Sequence, residues 1–207
     1  MRRFAEIQLI VLSLLPLLVA GCGNRTPEPE KEPHNAFSVV VPEGELTELS
    51  DTLDTEVKMQ IISGIVLERV KDIYALVKSD FMENGGAGEN ELFDKAYCSK
   101  SWNKLLMAVR WKENLTGALF FESNYWSMTR DAGIVSFDEF EVTNIELEPQ
   151  MMASVSFTVY EATTYVPARI DLVFEEGRWV IDNFHNLKYM TDFRESMWDF
   201  LRNDHLM

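Results

Sequence analysis

The sequence predicts an α+β fold, in which N-terminal helices pack on a curved, bulged antiparallel sheet and a C-terminal helix follows. Three observations support this prediction. Apolar residues recur every three or four positions from Thr55 to Phe81 and again from Leu92, they alternate with polar residues from Phe137 onward, and a helix start pattern returns at Asp192. Helices that precede a run of strands are typical of an α+β domain.

Two helical stretches open the domain. The first carries one apolar stripe at helical spacing, formed by Ile62, Val66, Val70, Ile73, Val77 and Phe81. The glycine-rich segment at 84–88 follows it and predicts the end of the helix. The second stretch runs from Leu92 to about Val109, with a local break near residues 99–101. Cys98 in this stretch is expected to be a buried thiol and not a catalytic nucleophile, because the local sequence supplies no base that would activate a nucleophile.

The second half of the chain alternates with a period of two, which predicts antiparallel strands with one buried face each. Between residues 137 and 147 the alternation changes phase across Thr143-Asn144, and we expect a one-residue bulge that bends the sheet there. Glu176-Gly177 predicts a hairpin turn between two of the strands. The final helix is expected from about Asp192 to Arg202, with Asp192 as its N-cap.

The composition excludes several classes of function. The chain has 34 acidic and 19 basic residues among 207, a formal charge of −15, and such a surface repels a phosphate backbone. We therefore expect no nucleic-acid binding. The 2 cysteines and 3 scattered histidines offer neither a metal-ligand spacing nor a disulfide framework. No metal and no cofactor are expected.

Residues 1–21 have the three parts of an export signal. Arg2 and Arg3 precede an uncharged apolar run from Leu9 to Val19, which is too short to cross a bilayer as a stable helix. The segment Leu18-Val19-Ala20-Gly21-Cys22 resembles the lipobox of bacterial lipoproteins. The resemblance implies cleavage before Cys22 and acylation of that residue, which anchors the mature chain in the bacterial cell envelope. The outer membrane or cell surface is favoured over the inner membrane, and a secretory signal with an incidental cysteine is the alternative.

An acidic, proline-rich tether at 22–50 separates this anchor from a single domain at 51–207. Its composition favours an extended chain that does not pack. One apolar island, Phe37 to Val41, interrupts the tether and is either a strand that docks on the edge of the domain's sheet or a strand offered to another protein. From Cys22 onward the chain has 33 acidic and 17 basic residues, a formal charge of −16.

Three segments of the domain resemble a known superfamily. They are Tyr97-Cys98-Ser99-Lys100-Ser101-Trp102-Asn103-Lys104-Leu105, Tyr125-Trp126 with Arg130-Asp131, and Gly177-Arg178-Trp179-Val180-Ile181-Asp182-Asn183-Phe184. Together they are similar to small secreted or lipid-anchored bacterial domains of the nuclear transport factor 2-like (cystatin-like) superfamily, over roughly residues 54–188. The resemblance implies a cone-like sheet that wraps its helices. Some members, such as ketosteroid isomerases and polyketide cyclases, use an Asp or a His-Asp pair in the cone, whereas many relatives only bind ligands or partners.

The candidate site residues follow from that implied cone. The residues expected to line a ligand pocket are Tyr97, Trp126, Tyr165 and Asp131. In an enzyme, Asp131, Asp182 and His185 are the groups that could act as acid and base, because an aromatic lining raises the pKa of a carboxylate.

Two functions remain open from the sequence. The first is a non-catalytic, membrane-tethered module that binds a small apolar or amphipathic ligand or an envelope protein, with a homodimer through the sheet as a further expectation. The second is an isomerase, dehydratase or cyclase in which an Asp or His base abstracts a proton and a tyrosine hydroxyl stabilises the oxyanion. We expect the first, because the second requires polar groups that converge in an enclosed cavity.

Overall fold

The structure is a computed structural model that describes residues 54–84, 90–120, 124–129 and 135–203. The predicted export signal, Cys22, the tether with its apolar island and Asp131 lie outside the described residues. The described residues all belong to one unit.

Three helices open this unit: α1 spans Thr55–Asn84, α2 spans Asn90–Tyr97 and α3 spans Lys100–Thr116. The predicted break at 99–101 is confirmed, since α2 ends at Tyr97 and Ser99 caps α3. The Ser99 hydroxyl accepts a hydrogen bond of 2.9 Å from the backbone N–H of Trp102. Helix α3 continues past the predicted end near Val109 and stops at Gly117, whose left-handed backbone (φ 73°) favours glycine.

Five strands form one antiparallel sheet in the order β1-β2-β3-β4-β5, and the sheet is not closed into a barrel. The strands are β1 Val135–Glu146, β2 Met152–Glu161, β3 Thr164–Glu175, β4 Arg178–Asn186 and β5 Thr191–Asp192. A C-terminal helix, α4 (Phe193–Arg202), follows. The α+β class is therefore confirmed.

The sheet is bulged at more positions than the sequence predicts. The expected irregularity near Thr143 is confirmed by a register shift between Val142 and Asn144. Further shifts occur between Asp138 and Glu141 in β1 and at Asp171/Leu172, where β3 faces β4. Each extra residue increases the local twist and bends the strand. The shift opposite Asp171 leaves Asp182 without a paired residue, since Asp171 faces Asn183 and Leu172 faces Ile181.

The predicted hairpin turn and the predicted N-cap of the last helix are also confirmed. Glu176 and Gly177 turn the chain between β3 and β4 with positive φ values of 51° and 77°. Asp192 caps α4, and its side chain accepts a hydrogen bond of 2.8 Å from the backbone N–H of Glu195.

Aromatic rings fill the interior between the helices and the sheet. All six residues of the predicted α1 stripe are buried, and so is the Cys98 thiol. The ring of Tyr74 lies 4.6 Å from that of Phe157, and the ring of Phe184 lies 4.9 Å from Trp102 and 5.0 Å from Trp126, measured between centroids. Side chains thus occupy this part of the interior at the spacing of an aromatic core.

Among the described residues, no helix combines the length and the apolar composition that crossing a bilayer requires.

Candidate functional site

A buried carboxylate, Asp94 near the end of α2, organises the polar part of the interior. Its side chain is 1% exposed. Tyr125 donates its hydroxyl to Asp94 Oδ2 at 2.6 Å, and Trp126 donates its indole N–H to Asp94 Oδ1 at 3.1 Å. The guanidinium of Arg110 lies 3.5 Å from Oδ2, and the thiol of Cys98 lies 3.9 Å from Oδ1. One carboxylate therefore joins two helices to the loop at 124–129.

Burial dominates the electrostatics of this cluster. Removal from water raises the pKa of Asp94 to about 6, against the lowering effect of its hydrogen bonds and of Arg110. Burial also raises the pKa of the Cys98 thiol well above its ordinary value, and the neighbouring carboxylates raise it further. A thiol held in its neutral form is a poor nucleophile. Both oxygens of Asp94 already accept protein donors, so we interpret the cluster as structural.

The two predicted acid–base residues that the structure describes are not joined to each other by a hydrogen bond or an ion pair. Asp182 accepts a hydrogen bond of 2.5 Å from the Ser99 hydroxyl and pairs with Arg194 at 2.6 Å. His185 instead lies 2.6 Å from Asp171 and 3.5 Å from Asp192, measured from its ring nitrogens to their carboxylate oxygens. Asp182 thus holds α3 and α4 against β4, and His185 joins β3 to the start of α4.

The partner of His185 is held in its ionised form. Burial opposes ionisation of Asp171, but hydrogen bonds from His185 and Ser154 outweigh it, and the pKa of Asp171 falls below its usual value. Asp171 also lies 3.2 Å from the guanidinium of Arg169. His185 is therefore engaged by carboxylates of β3 and of the α4 N-cap, which is the structural role that a buried histidine commonly has, although the buried Nε of Arg169 makes no hydrogen bond to the described residues.

The three described pocket-lining candidates do not form one cluster. Trp126 is 1% exposed, and its indole N–H donates a hydrogen bond to Asp94. Tyr97 is half-buried under the guanidinium of Arg69, which lies 5.4 Å from the ring centroid. Phe93 contacts the rings of both, at 5.9 Å from Tyr97 and 5.8 Å from Trp126. Tyr165 is 63% exposed and pairs with Tyr160 across the sheet, next to the buried Val166 of the opposite face. The structure therefore does not bring Tyr165 to the other two.

A cleft of about 400 Å³ lies where α2 and α3 meet the β3–β4 hairpin. Its lining residues are Lys95, Cys98, Lys100, Asn103, Lys104, Met107, Glu175, Glu176, Arg178 and Val180. We call it the cationic cleft, because its described lining residues include 4 cationic side chains and 2 carboxylates in a strongly acidic chain. Such a cleft concentrates positive potential and attracts anions.

Only part of this positive charge is neutralised by ion pairs. Lys95 pairs with Glu91 at 2.7 Å, and Lys100 pairs with Glu176. Within the described part of the chain, Lys104 and Arg178 form no ion pair. Burial lowers the pKa of Arg69, and the positive charge of the nearby Arg178 lowers it further.

Backbone contacts fix the two walls of the cleft. The backbone N–H of Ser99 donates to the carbonyl of Ile181 at 2.8 Å, which ties the α2–α3 junction to β4. The Asn103 side chain donates to the backbone carbonyls of Asp94 at 2.9 Å and Ser99 at 3.0 Å. The spacing of Lys100 and Lys104 places both on one face of α3. The spacing of the two lysines can be seen in the sequence. The proximity of Arg178 cannot, because α3 forms one wall of the cleft and the distant β3–β4 hairpin forms the other.

The known proteins give no further guide. No protein-family model, no curated protein and no solved structure matches the chain. Within the described ranges, no group of three or more His, Cys, Asp or Glu side chains is arranged to hold a metal ion. The case for a function therefore depends on the geometry of the cationic cleft and on the pattern of the N-terminal sequence.

Proposed function

We propose that this protein is a lipid-anchored binding module of the bacterial cell envelope, and that its cationic cleft binds an anionic group, a phosphate or a carboxylate, of a ligand or partner. The observation that carries the proposal is the position of Lys104 and Arg178 in this cleft, where neither forms an ion pair with a carboxylate of the described residues. Elsewhere acidic residues predominate, with a formal charge of −16 from Cys22 onward. A local cationic site in such a chain favours a specific anion over nonspecific contacts.

The interior supports a binding role rather than catalysis. Aromatic rings occupy the space between α1, α3 and the sheet, and the carboxylate of Asp94 is fully engaged by protein donors. Asp182 and His185 each belong to a separate ion-paired cluster. Helices followed by a bulged antiparallel sheet are what a cone-like, nuclear transport factor 2-like domain requires, and we include that fold in the proposal.

The anchor is tested by replacing Cys22 with Ala in the full chain. The wild-type protein is expected in the membrane fraction with a mature N-terminus that carries acyl chains, because several buried chains make attachment effectively lasting. In Cys22→Ala, mass spectrometry should find no acylated mature form. Wild-type protein without acyl groups would contradict the anchor.

The cationic cleft is tested by titrating the protein with inorganic phosphate and measuring binding by calorimetry. In Lys104→Ala/Arg178→Ala the affinity should fall at least about tenfold, because loss of a charge-assisted hydrogen bond costs roughly 1.5–3 kcal/mol. The matched control is Lys78→Ala, which removes an exposed lysine of α1 that does not line the cleft. Equal affinities in the two variants would contradict the assignment.

A further inference from the structure

Helix α3 presents an apolar stripe to solvent. Met107 is 71% exposed, Trp111 is 67% exposed and Leu115 is 63% exposed. These three residues are spaced four apart along α3 and therefore lie on one face of the helix. The opposite face packs into the core through Trp102, Leu105, Leu106 and Val109. A helix that is apolar on both its buried and its exposed side normally has a further contact surface.

The apolar stripe is continuous with the cationic cleft. Lys100 lies four positions before Lys104, and Lys104 lies three positions before Met107, so both lysines share the face of the apolar stripe, and Met107 itself lines the cleft. One face of α3 thus passes from cationic side chains at its N-terminal half to large apolar side chains at its C-terminal half. Lysine beside tryptophan and leucine is the composition of surfaces that lie at a membrane interface, where cations face the phosphates and apolar groups enter the acyl boundary.

We propose that the apolar stripe and the cationic cleft together form a docking surface for an anionic phospholipid bilayer, so that the anion of the cleft is a lipid phosphate. This inference rests on the proposed function, since it names the ligand of the same cleft. Charge determines which face of the domain can approach the bilayer, because an acidic domain is repelled by an anionic bilayer except where cations are exposed. The acyl anchor would hold the domain close to the bilayer, so that even weak docking is populated.

The length of the tether permits this contact. Residues 22–53, which precede the first described residue, span at most about 110 Å when fully extended. A predicted tether of this length does not by itself select the face of the domain that meets the bilayer. The orientation is then set by the face that binds best, and the apolar stripe with the cationic cleft meets both requirements of an anionic interface.

Quenching of tryptophan fluorescence by brominated lipids tests the orientation. The full acylated chain is reconstituted into phosphatidylcholine vesicles that contain phosphatidylglycerol, with bromine on the acyl chains. We expect quenching in the wild type and its loss in Trp111→Phe. The matched control is Trp198→Phe, since Trp198 is a partly exposed tryptophan of α4, at 46%. Quenching that is equal in the two variants, or absent from the wild type, would overturn the proposal.

Two further measurements separate this inference from the proposed function. Lys104→Ala/Arg178→Ala should reduce the quenching in anionic vesicles, and unchanged quenching overturns the role of the cleft in docking. If the cleft binds inorganic phosphate but Trp111 is not quenched, docking is wrong and the proposed function stands. A dimer in detergent that Trp111→Ser converts to a monomer, without quenching of the wild type, also overturns docking and assigns the apolar stripe to a second copy of the chain.

Discussion

Replacing Asp94 with alanine is expected to lower the free energy of unfolding by about 3–5 kcal/mol, which is the usual cost of breaking a buried, hydrogen-bonded charge network. The substitution removes the carboxylate oxygens that accept hydrogen bonds from the hydroxyl of Tyr125 and the indole N–H of Trp126. Both side chains are nearly inaccessible to water, at 3% and 1% exposed, so solvent cannot replace the lost bonds. Urea unfolding monitored by circular dichroism measures the change.

The conservative variant Asp94→Asn separates hydrogen bonding from charge. Its amide oxygen still accepts a hydrogen bond, so its stability at pH 7 should exceed that of Asp94→Ala. The folded-state pKa of about 6 lies above the unfolded value of 3.8, so the contribution of Asp94 to stability should fall by about 3 kcal/mol as the pH rises through this interval. Asp94→Asn should lose this component of the pH dependence. Equal pH profiles for the two proteins would show that Asp94 does not titrate in this range.

The second large effect is expected at Lys112, a lysine of α3 that is only 9% exposed. Its ammonium donates to three backbone carbonyls at the end of α4, those of Phe200 at 2.9 Å, Leu201 at 3.1 Å and Asn203 at 2.8 Å. Helix C-termini leave such carbonyls without intrahelical donors, and a cation also complements the helix dipole. Lys112→Ala should therefore destabilise the domain by about 2–3 kcal/mol.

Hydrogen exchange of individual elements distinguishes a local effect of Lys112→Ala on α4 from general destabilisation of the domain. Amide hydrogen exchange should accelerate in α4 more than in the β2–β3 pair, because the end of α4 loses the three hydrogen bonds that join it to α3 through Lys112. Lys112→Met keeps most of the aliphatic stem and should still lose the protection of α4. The exposed control, Lys78→Ala, should change stability by less than about 0.5 kcal/mol. Unchanged exchange in α4 of Lys112→Ala would contradict this role.

The parts of the fold that could be predicted are those encoded locally. The α1 stripe, the break before α3, the bulge near Thr143 and the N-cap at Asp192 each follow from residues within a few positions of one another. The bulge opposite Asp171 could not be predicted, because the alternation of β3 continues through it and only the pairing with β4 shows it. Local pattern thus defines the elements, whereas register depends on both strands.

The candidate site depends on contacts between distant segments. Asp94 meets Tyr125 and Trp126 some 30 residues later, and Arg178 reaches the cleft from the β3–β4 hairpin. No spacing in one sequence encodes such approaches. The resemblance to cone-like domains makes Asp182 and His185 candidates for an acid–base pair, but the structure engages them with Arg194 and Asp171. A titratable residue in a suggestive segment therefore indicates a site only when its neighbours are known.

Nuclear magnetic resonance mapping of a phosphate titration tests the claim that the cationic cleft binds anions, because it observes the surface cleft and the interior in one sample. If the cationic cleft is the binding site, backbone amide signals of Asn103, Lys104 and Arg178 should shift and saturate together, while the indole N–H of Trp126 beside Asp94 stays unchanged. Shifts centred on Trp126 and Tyr125, with the signals of the cleft unmoved, would contradict the claim and return the site to the interior.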